Sequence, residues 1–334
     1  MIKKRGVNEF RNLVFEGGGV KGIAYGGALE ELEKKKILQK IKRVAGTSAG
    51  AITAILISLG YSAKEVTKII SETNFNNFAD NDFGFLFDVL RVIRKFGWNK
   101  GNKFYNWIGE LIKARAGKED LTFLELHNLI GKNNFRDLYI VGTNLSKQFS
   151  EVYSYETSPD MQIREAARIS MSIPLYFKSV KKENDIMADG GVVLNYAINV
   201  FDNLKYLEDK KNGERVNYNS DENYLFNHET LGFRLDSVNE INYNSEGWRS
   251  VPRIIKNLKD YSFALLGFMM EGANKRHLHR NDWNRTVFIN TIGVKTTDFD
   301  LSQEKINALV EEGRKGVVEH FKWRNGKKGM KKPC

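Results

Sequence analysis

Cysteine is almost absent from this chain. The one cysteine, Cys334, is the last residue, so the chain can form no intrachain disulfide and no cysteine-based metal site. That usage fits a reducing compartment. Proline is scarce too: 4 residues in 334 argue against a linker-rich or low-complexity architecture. Only 5 histidines occur, which confines histidine-dependent chemistry to a few positions. Long apolar runs are also missing. Val44 to Tyr61 is uncharged, but glycines, Thr47 and Ser48 occupy its first part, and the apolar remainder suits a buried core helix rather than a membrane span. Tyr261 to Met270 is shorter still. The basic start Met1-Ile2-Lys3-Lys4-Arg5 lacks the apolar stretch that follows in a signal peptide. The expectation is a protein that is cytoplasmic or peripheral at a membrane.

Hydrophobic residues make up 41% of the chain, enough for a sizeable core, and the net charge is +11. A basic excess favours anionic lipid or nucleic acid. No zinc-finger spacing or RNA-binding consensus accompanies it, so nucleic acid is not expected as a partner. The excess is sharpest at the end, at Lys322, Arg324, Lys327, Lys328, Lys331 and Lys332.

Periodicity places strands at Leu13–Phe15, Ile41–Ala45, Leu138–Thr143, Glu151–Tyr155, Asp185–Ala188, Thr230–Leu235 and Thr286–Ile292. Helices are expected at Lys21–Lys36, after Gly50, after the capping boxes Ser62-x-x-Glu65 and Thr122-x-x-Glu125, and from Ser158-Pro159. Late helices are expected at Arg249–Arg276 and Ser302–Trp323, and Lys205–Asn223 reads as a loop or insertion. Phe83 to Trp98 is rich in aromatic and aliphatic residues and reads either as a core helix or as a lid facing lipid. Strands alternating with helices predict an α/β fold with a mainly parallel sheet.

Two glycine-rich motifs punctuate this pattern. Gly46-Thr47-Ser48-Ala49-Gly50 lies between a strand and a helix, the setting of a nucleophile elbow. Small neighbours permit the sharp turn that exposes the serine Oγ; the plainer reading is a turn that simply needs small residues. Gly17-Gly18-Gly19-Val20-Lys21-Gly22 also spells a dinucleotide-binding fingerprint, which would make the chain a nucleotide-binding module. That role needs a carboxylate at the end of the second strand, and Ala45-Gly46-Thr47-Ser48 has none. Beside a nucleophile, consecutive glycines would instead converge their N–H groups on an oxyanion.

A nucleophilic serine requires a base. His127 precedes Asp189, whereas His228, His277, His279 and His320 follow it and would complete a Ser-Asp-His order, but none stands at a distinctive strand end. Asp189 does, with Gly190 and Gly191 behind it, so its carboxylate can stand free at the sheet edge. At its unperturbed pKa of about 3.9 an aspartate is a weak base, and partial burial would strengthen it. A purely structural Asp-Gly-Gly turn is the alternative.

In combination, Gly17 to Gly22, Gly46 to Gly50 and Asp189 to Gly191 resemble the patatin-like phospholipases. Val141-Gly142-Thr143-Asn144-Leu145, the segment Ala167 to Pro174 and Asn195 extend the resemblance across about Leu13 to Asp202; Ala197 stands near an expected proline. The resemblance implies a three-layer α/β/α sandwich with a mainly parallel central sheet and a helical C-terminal extension. It implies a dyad of Ser48 as nucleophile and Asp189 as proton acceptor, with Gly17, Gly18 and Gly19 as the oxyanion hole. Val20, Lys21, Gly22, Gly46, Thr47, Ala49, Gly50, Gly190 and Gly191 would support the motifs. No metal or other cofactor is implied. Residues 11–202 would form the catalytic core, 203–325 would complete the same domain, and 326–334 would be a disordered basic tail. The implied activity is phospholipase A-type cleavage of membrane phospholipid esters, with lysophospholipid or triacylglycerol hydrolysis as variants.

Overall fold

A computed structural model of the chain describes residues 10–78, 97–215, 225–236, 255–256, 261, 264–265, 268, 280–296 and 298–326. In chain order its strands are β1 (Asn12–Phe15), β2 (Arg43–Thr47), β3 (Gly97–Asn99), β4 (Asp137–Asn144), β5 (Phe149–Tyr153), β6 (Leu175–Phe177), β7 (Val180–Lys182), β8 (Asp185–Asp189), β9 (Gly213–Arg215), β10 (Leu225–Asn227), β11 (Thr230–Asp236) and β12 (Thr286–Asn290). Its helices are α1 (Ala24–Lys34), α2 (Ala49–Ser58), α3 (Ala63–Glu72), α4 (Asn102–Ala116), α5 (Phe123–Leu129), α6 (Ile163–Ser170) and α7 (Gln303–Asn325).

The central sheet has 8 strands in the order β12-β11-β1-β2-β4-β8-β7, with β5 also paired to β4. The first five run parallel, whereas β5, β7 and β8 are antiparallel additions. The protein therefore has a mixed α/β fold with a mainly parallel central sheet and a C-terminal helix. Alternation within the strands divides the core. Leu13, Phe15, Val44, Leu138, Ile140, Leu231 and Phe233 join the main cluster with the helices, whereas Val14, Ala45 and Tyr139 meet Tyr196, Ile198, Phe201 and Tyr206 on the opposite face. The α2 helix is apolar all round, and every one of its residues is buried.

One feature of the register positions the site. β2 pairs with Asp137–Val141 of β4, and β8 takes over the same edge at Gly142–Asn144, while β5 occupies the other edge. Thr47 lies opposite Val141 and Asp189 opposite Gly142. Asp189 is thereby delivered directly beyond the end of β2, where Ser48 begins the next turn.

Both expected capping boxes form, Ser62 with Glu65 and Thr122 with Glu125. Several boundaries differ from the sequence reading. β2 runs to Thr47 rather than Ala45, because pairing with β4 continues to that residue. A 3-10 turn over Gly19–Ile23 precedes α1. The helix expected at Ser158-Pro159 begins at Ile163, because the Pro159 and Met161 carbonyls accept the first N–H groups of α5 and hold that stretch non-helical. β5 starts at Phe149, where hairpin pairing to Asn144 sets its register. The region expected to be a loop after Lys205 contains β9, which pairs antiparallel with β10. Phe83 to Phe96, most of Arg249–Arg276 and the lysines from Lys327 onward lie outside the described residues. Among the described residues, no helix is long and apolar enough to cross a membrane.

Candidate active site

Ser48 lies at the junction of β2 and α2 with φ 53° and ψ −124°. A non-glycine residue in that conformation costs of order 1–3 kcal/mol and persists only where its surroundings over-determine it. The surroundings here are tight. A Cβ on Gly46 would lie 2.2 Å from Gly50 O, and one on Gly50 would lie 2.4 Å from Phe15 O. Only glycine fits at either flank, as the pentapeptide suggests. Ser48 N–H donates to Ser170 Oγ at 2.9 Å, and Ser170 Oγ donates to Val141 O at 2.7 Å. Thr47 Oγ1 donates to Leu194 O at 3.3 Å, linking the elbow to the segment that follows Asp189.

Asp189 ends β8 and is fully buried. Its Oδ1 accepts Gly191 N–H at 2.7 Å, whereas its Oδ2 is buried without a hydrogen-bond partner. Burial pushes its carboxyl up to about 7, and the Ser48 hydroxyl and Gly191 N–H pull in the opposite direction. Ser48 is thus within electrostatic reach of the carboxylate, yet its Oγ lies 3.5 Å from Met171 Sδ, the partner it takes in this rotamer.

The glycine loop packs against this pair. A Cβ on Gly17 would fall 3.1 Å from Ser48 Cβ, and one on Gly22 would fall 3.2 Å from Ala49 Cβ. The three expected oxyanion donors are not equivalent. Gly17 N–H is already committed to Asn195 O at 3.1 Å, so it is not available as a donor. Among the described residues, the Gly18 and Gly19 N–H groups have no intramolecular acceptor, and neither has the Ala49 N–H in the first turn of α2. Gly19 has φ +56°, and a side chain there would strike Thr296 O at 2.1 Å. Val20 N–H donates to the same carbonyl at 3.2 Å, and Lys21 Nζ reaches Leu235 O at 3.4 Å.

The histidines do not enter this arrangement. His127 Nδ1 meets Asp137 Oδ1 at 2.7 Å at the far end of β4, and His228 meets Glu214 at 3.0 Å. His320 is buried in α7 against Phe321 and Trp323, whereas His277 and His279 lie outside the described residues.

Other residues have partners at the site that the sequence reading did not show, and one of them, Glu16, it did not single out at all. Asn195 uses its carbonyl for Gly17 N–H, and its Nδ2 donates to Gly17 O at 3.0 Å and lies 3.4 Å from Glu16 Oε1. Glu16 is buried directly before the loop, where Leu235 N–H donates to its Oε2 at 2.8 Å. Burial raises its carboxyl to about 7, with Arg234 opposing the rise and Asp236 adding to it. The available signal was a charged residue closing an otherwise apolar strand. Ser170 and Met171 lie within a quoted motif, but spacing alone does not show which atoms they meet.

The family described as Patatin-like phospholipase matches residues 13–202, a span that contains the elbow, the glycine loop and Asp189. The chain belongs to the patatin-like phospholipase family. Its similarity to relatives extends beyond the matched span: "Uncharacterized protein YqhO" of Bacillus subtilis is 29% identical over 90% of this chain and 94% of its own length. "Probable lipid hydrolase 463L" of Invertebrate iridescent virus 6 is 28% identical over 63% of this chain and 68% of its own. VipD from Legionella pneumophila shares the patatin-like fold at a TM-score of 0.63, with 17% identity over 95% of this chain and 67% of VipD. Membership in the patatin-like phospholipases supports lipid acyl-ester hydrolysis.

Proposed function

We propose that this protein is a phospholipase A-type acyl hydrolase acting through Ser48 and Asp189. The observation that carries this reading is the buried Asp189 Oδ2, unpartnered and beside a serine held in a strained elbow. Rotation about the Ser48 side chain moves Oγ from Met171 Sδ to that oxygen. Asp189 then takes the Oγ proton as Oγ attacks the ester carbonyl, and a pKa raised towards 7 makes the carboxylate a competent base near neutrality. The N–H groups of Gly18, Gly19 and Ala49 hold the oxyanion, where a single donor is worth roughly a hundred- to thousand-fold in rate. The proton on Asp189 passes to the departing lysolipid oxygen. Water then gives a proton to Asp189 as it attacks the acyl-Ser48 ester. Asp189 returns that proton to Ser48 Oγ as the acyl–oxygen bond breaks, releasing fatty acid and restoring both serine and carboxylate.

Residues 203–325 complete the same domain in this reading, because β11 and β12 extend the sheet from β1. The substrate is membrane phospholipid. Fatty-acid release from phospholipid vesicles tests the assignment. Wild type should release fatty acid, and Ser48→Ala and Asp189→Asn should not. Undiminished release by Ser48→Ala would end it. Release of fatty acid only from lysolipid or triacylglycerol would move the activity to another ester of the same chemistry.

A further inference from the structure

The segment Ser170–Ser172, at the end of α6, touches both Ser48 and Asp189. Ser170 Oγ accepts the Ser48 N–H at 2.9 Å and donates to Val141 O at 2.7 Å. Met171 Sδ lies 3.5 Å from Ser48 Oγ. Ser172 O accepts the Asp189 N–H at 2.9 Å. All three residues are buried. Arg168 secures the segment from behind: its Nη1 donates to Ser172 Oγ at 2.6 Å, and its Nη2 donates to the Lys100 and Lys178 carbonyls at 2.7 and 2.8 Å.

Ser48 lies one residue beyond the last pair of β2 with β4, Thr47 with Val141, and its buried amide needs an acceptor outside that ladder. The Ser170 hydroxyl is that acceptor. It carries the bond on to Val141, the residue of β4 that pairs with Thr47. The elbow is therefore referenced to the same strand that positions Asp189 through Gly142. A second consequence is chemical. In chymotrypsin-type sites the nucleophile's own N–H contributes to the oxyanion hole. Here that N–H is engaged by Ser170, which leaves the donors of the glycine loop and α2.

We propose that Ser170 is a positioning residue of the hydrolytic site, its hydroxyl holding the Ser48 backbone so that Oγ can face both Asp189 and the glycine loop. The proposal rests on the Ser48 hydrolase reading. The test compares wild type, Ser170→Ala, Ser170→Thr and Ser170→Cys on a soluble p-nitrophenyl ester. Rates are taken per active site titrated with a fluorophosphonate, and thermal midpoints are recorded. Ser170→Ala should lower kcat about 10- to 100-fold with KM nearly unchanged, the size expected when a reacting atom is misplaced by a fraction of an ångström to an ångström. The acid limb of its pH–rate profile should stay where it is in wild type, because Asp189 is untouched. Ser170→Thr, which keeps the hydroxyl, should recover most of kcat. Wild-type kcat per site in Ser170→Ala overturns the proposal, as does a Ser170→Thr variant with a wild-type thermal midpoint that is as slow as Ser170→Ala. If Ser170→Ala does not fold, Ser170→Cys, with similar volume and a poor acceptor, must show the loss, and wild-type kcat there is equally fatal. Hydrolysis that survives in Ser48→Ala overturns the underlying reading instead.

Discussion

Replacing Asp189 by asparagine should abolish hydrolysis and at the same time stabilise the fold, by an amount that depends on pH. The Asp189 carboxyl is raised by burial from an ordinary 3.8 to about 7. The folded protein therefore holds this proton more tightly than the unfolded chain does. Stability contributed by the protonated carboxyl is complete below pH 3.8 and is lost as pH rises through about 7. At 1.36 kcal/mol per pH unit, the full cost of ionising Asp189 in the folded state is about 4 kcal/mol. Asparagine keeps an oxygen for the Gly191 N–H and has no charge to bury. Relative to wild type it should gain about 1–2 kcal/mol at pH 5 and about 4 kcal/mol at pH 8, levelling off beyond that. Urea unfolding followed by circular dichroism between pH 5 and 9 measures the difference directly. Glu16, also raised to about 7, titrates in both proteins and cancels. Two stability curves separated by the same amount at every pH would refute the reasoning, because Asp189 would then have no raised pKa.

Other outcomes follow from the same geometry. Activity should fall roughly tenfold per unit as pH drops below about 7, because the base must be ionised; a flat profile down to pH 5 would exclude Asp189 as that base. Gly19→Ala forces a side chain onto Thr296 O at φ +56°, and should cut kcat by about a hundred- to thousand-fold with little change in KM, measured on a soluble ester. Asn195→Asp places a carboxylate against Gly17 O and Glu16, and should destabilise the protein by about 1–3 kcal/mol at pH 8, with the deficit shrinking as acid protonates the facing carboxylates. Arg285→Met strands the buried Asp202 and Asp282, which Arg285 meets at 2.5 and 2.7 Å, and should cost about 3–5 kcal/mol in urea unfolding at neutral pH.

Much of the site was legible because its physics is local. The elbow needs small residues at positions adjacent in the chain, and Gly46, Ala49 and Gly50 are visible as such. Capping boxes are three-residue relationships, and both of those expected form. Contacts that join distant segments left weaker traces. Nothing in the spacing of Gly17, Gly18 and Gly19 shows that the first N–H of the three is taken by Asn195, which is 178 positions away. The start of α6 was misplaced for a similar reason: Ser158-Pro159 has helix-start chemistry, but the Pro159 and Met161 carbonyls are occupied by the first N–H groups of α5. Glu16 and Ser170 do their work through partners far along the chain, so neither stood out beside the glycines.

By itself the sequence singled out the candidate groups and their order: a glycine loop, a serine flanked by small residues and an aspartate ahead of two glycines. It also determined the alternation that yields a mainly parallel sheet, because periodicity and turn chemistry act over a few residues. The tertiary structure decided how those groups meet. The succession of β2 and β8 along one edge of β4 brings Asp189 to Ser48. Burial then gives Asp189 the acidity of a base near neutrality. Ser170 and Asn195, reaching across the fold, determine which N–H groups remain for an oxyanion. Register, burial and long-range hydrogen bonds arise only when segments far apart in the chain pack together.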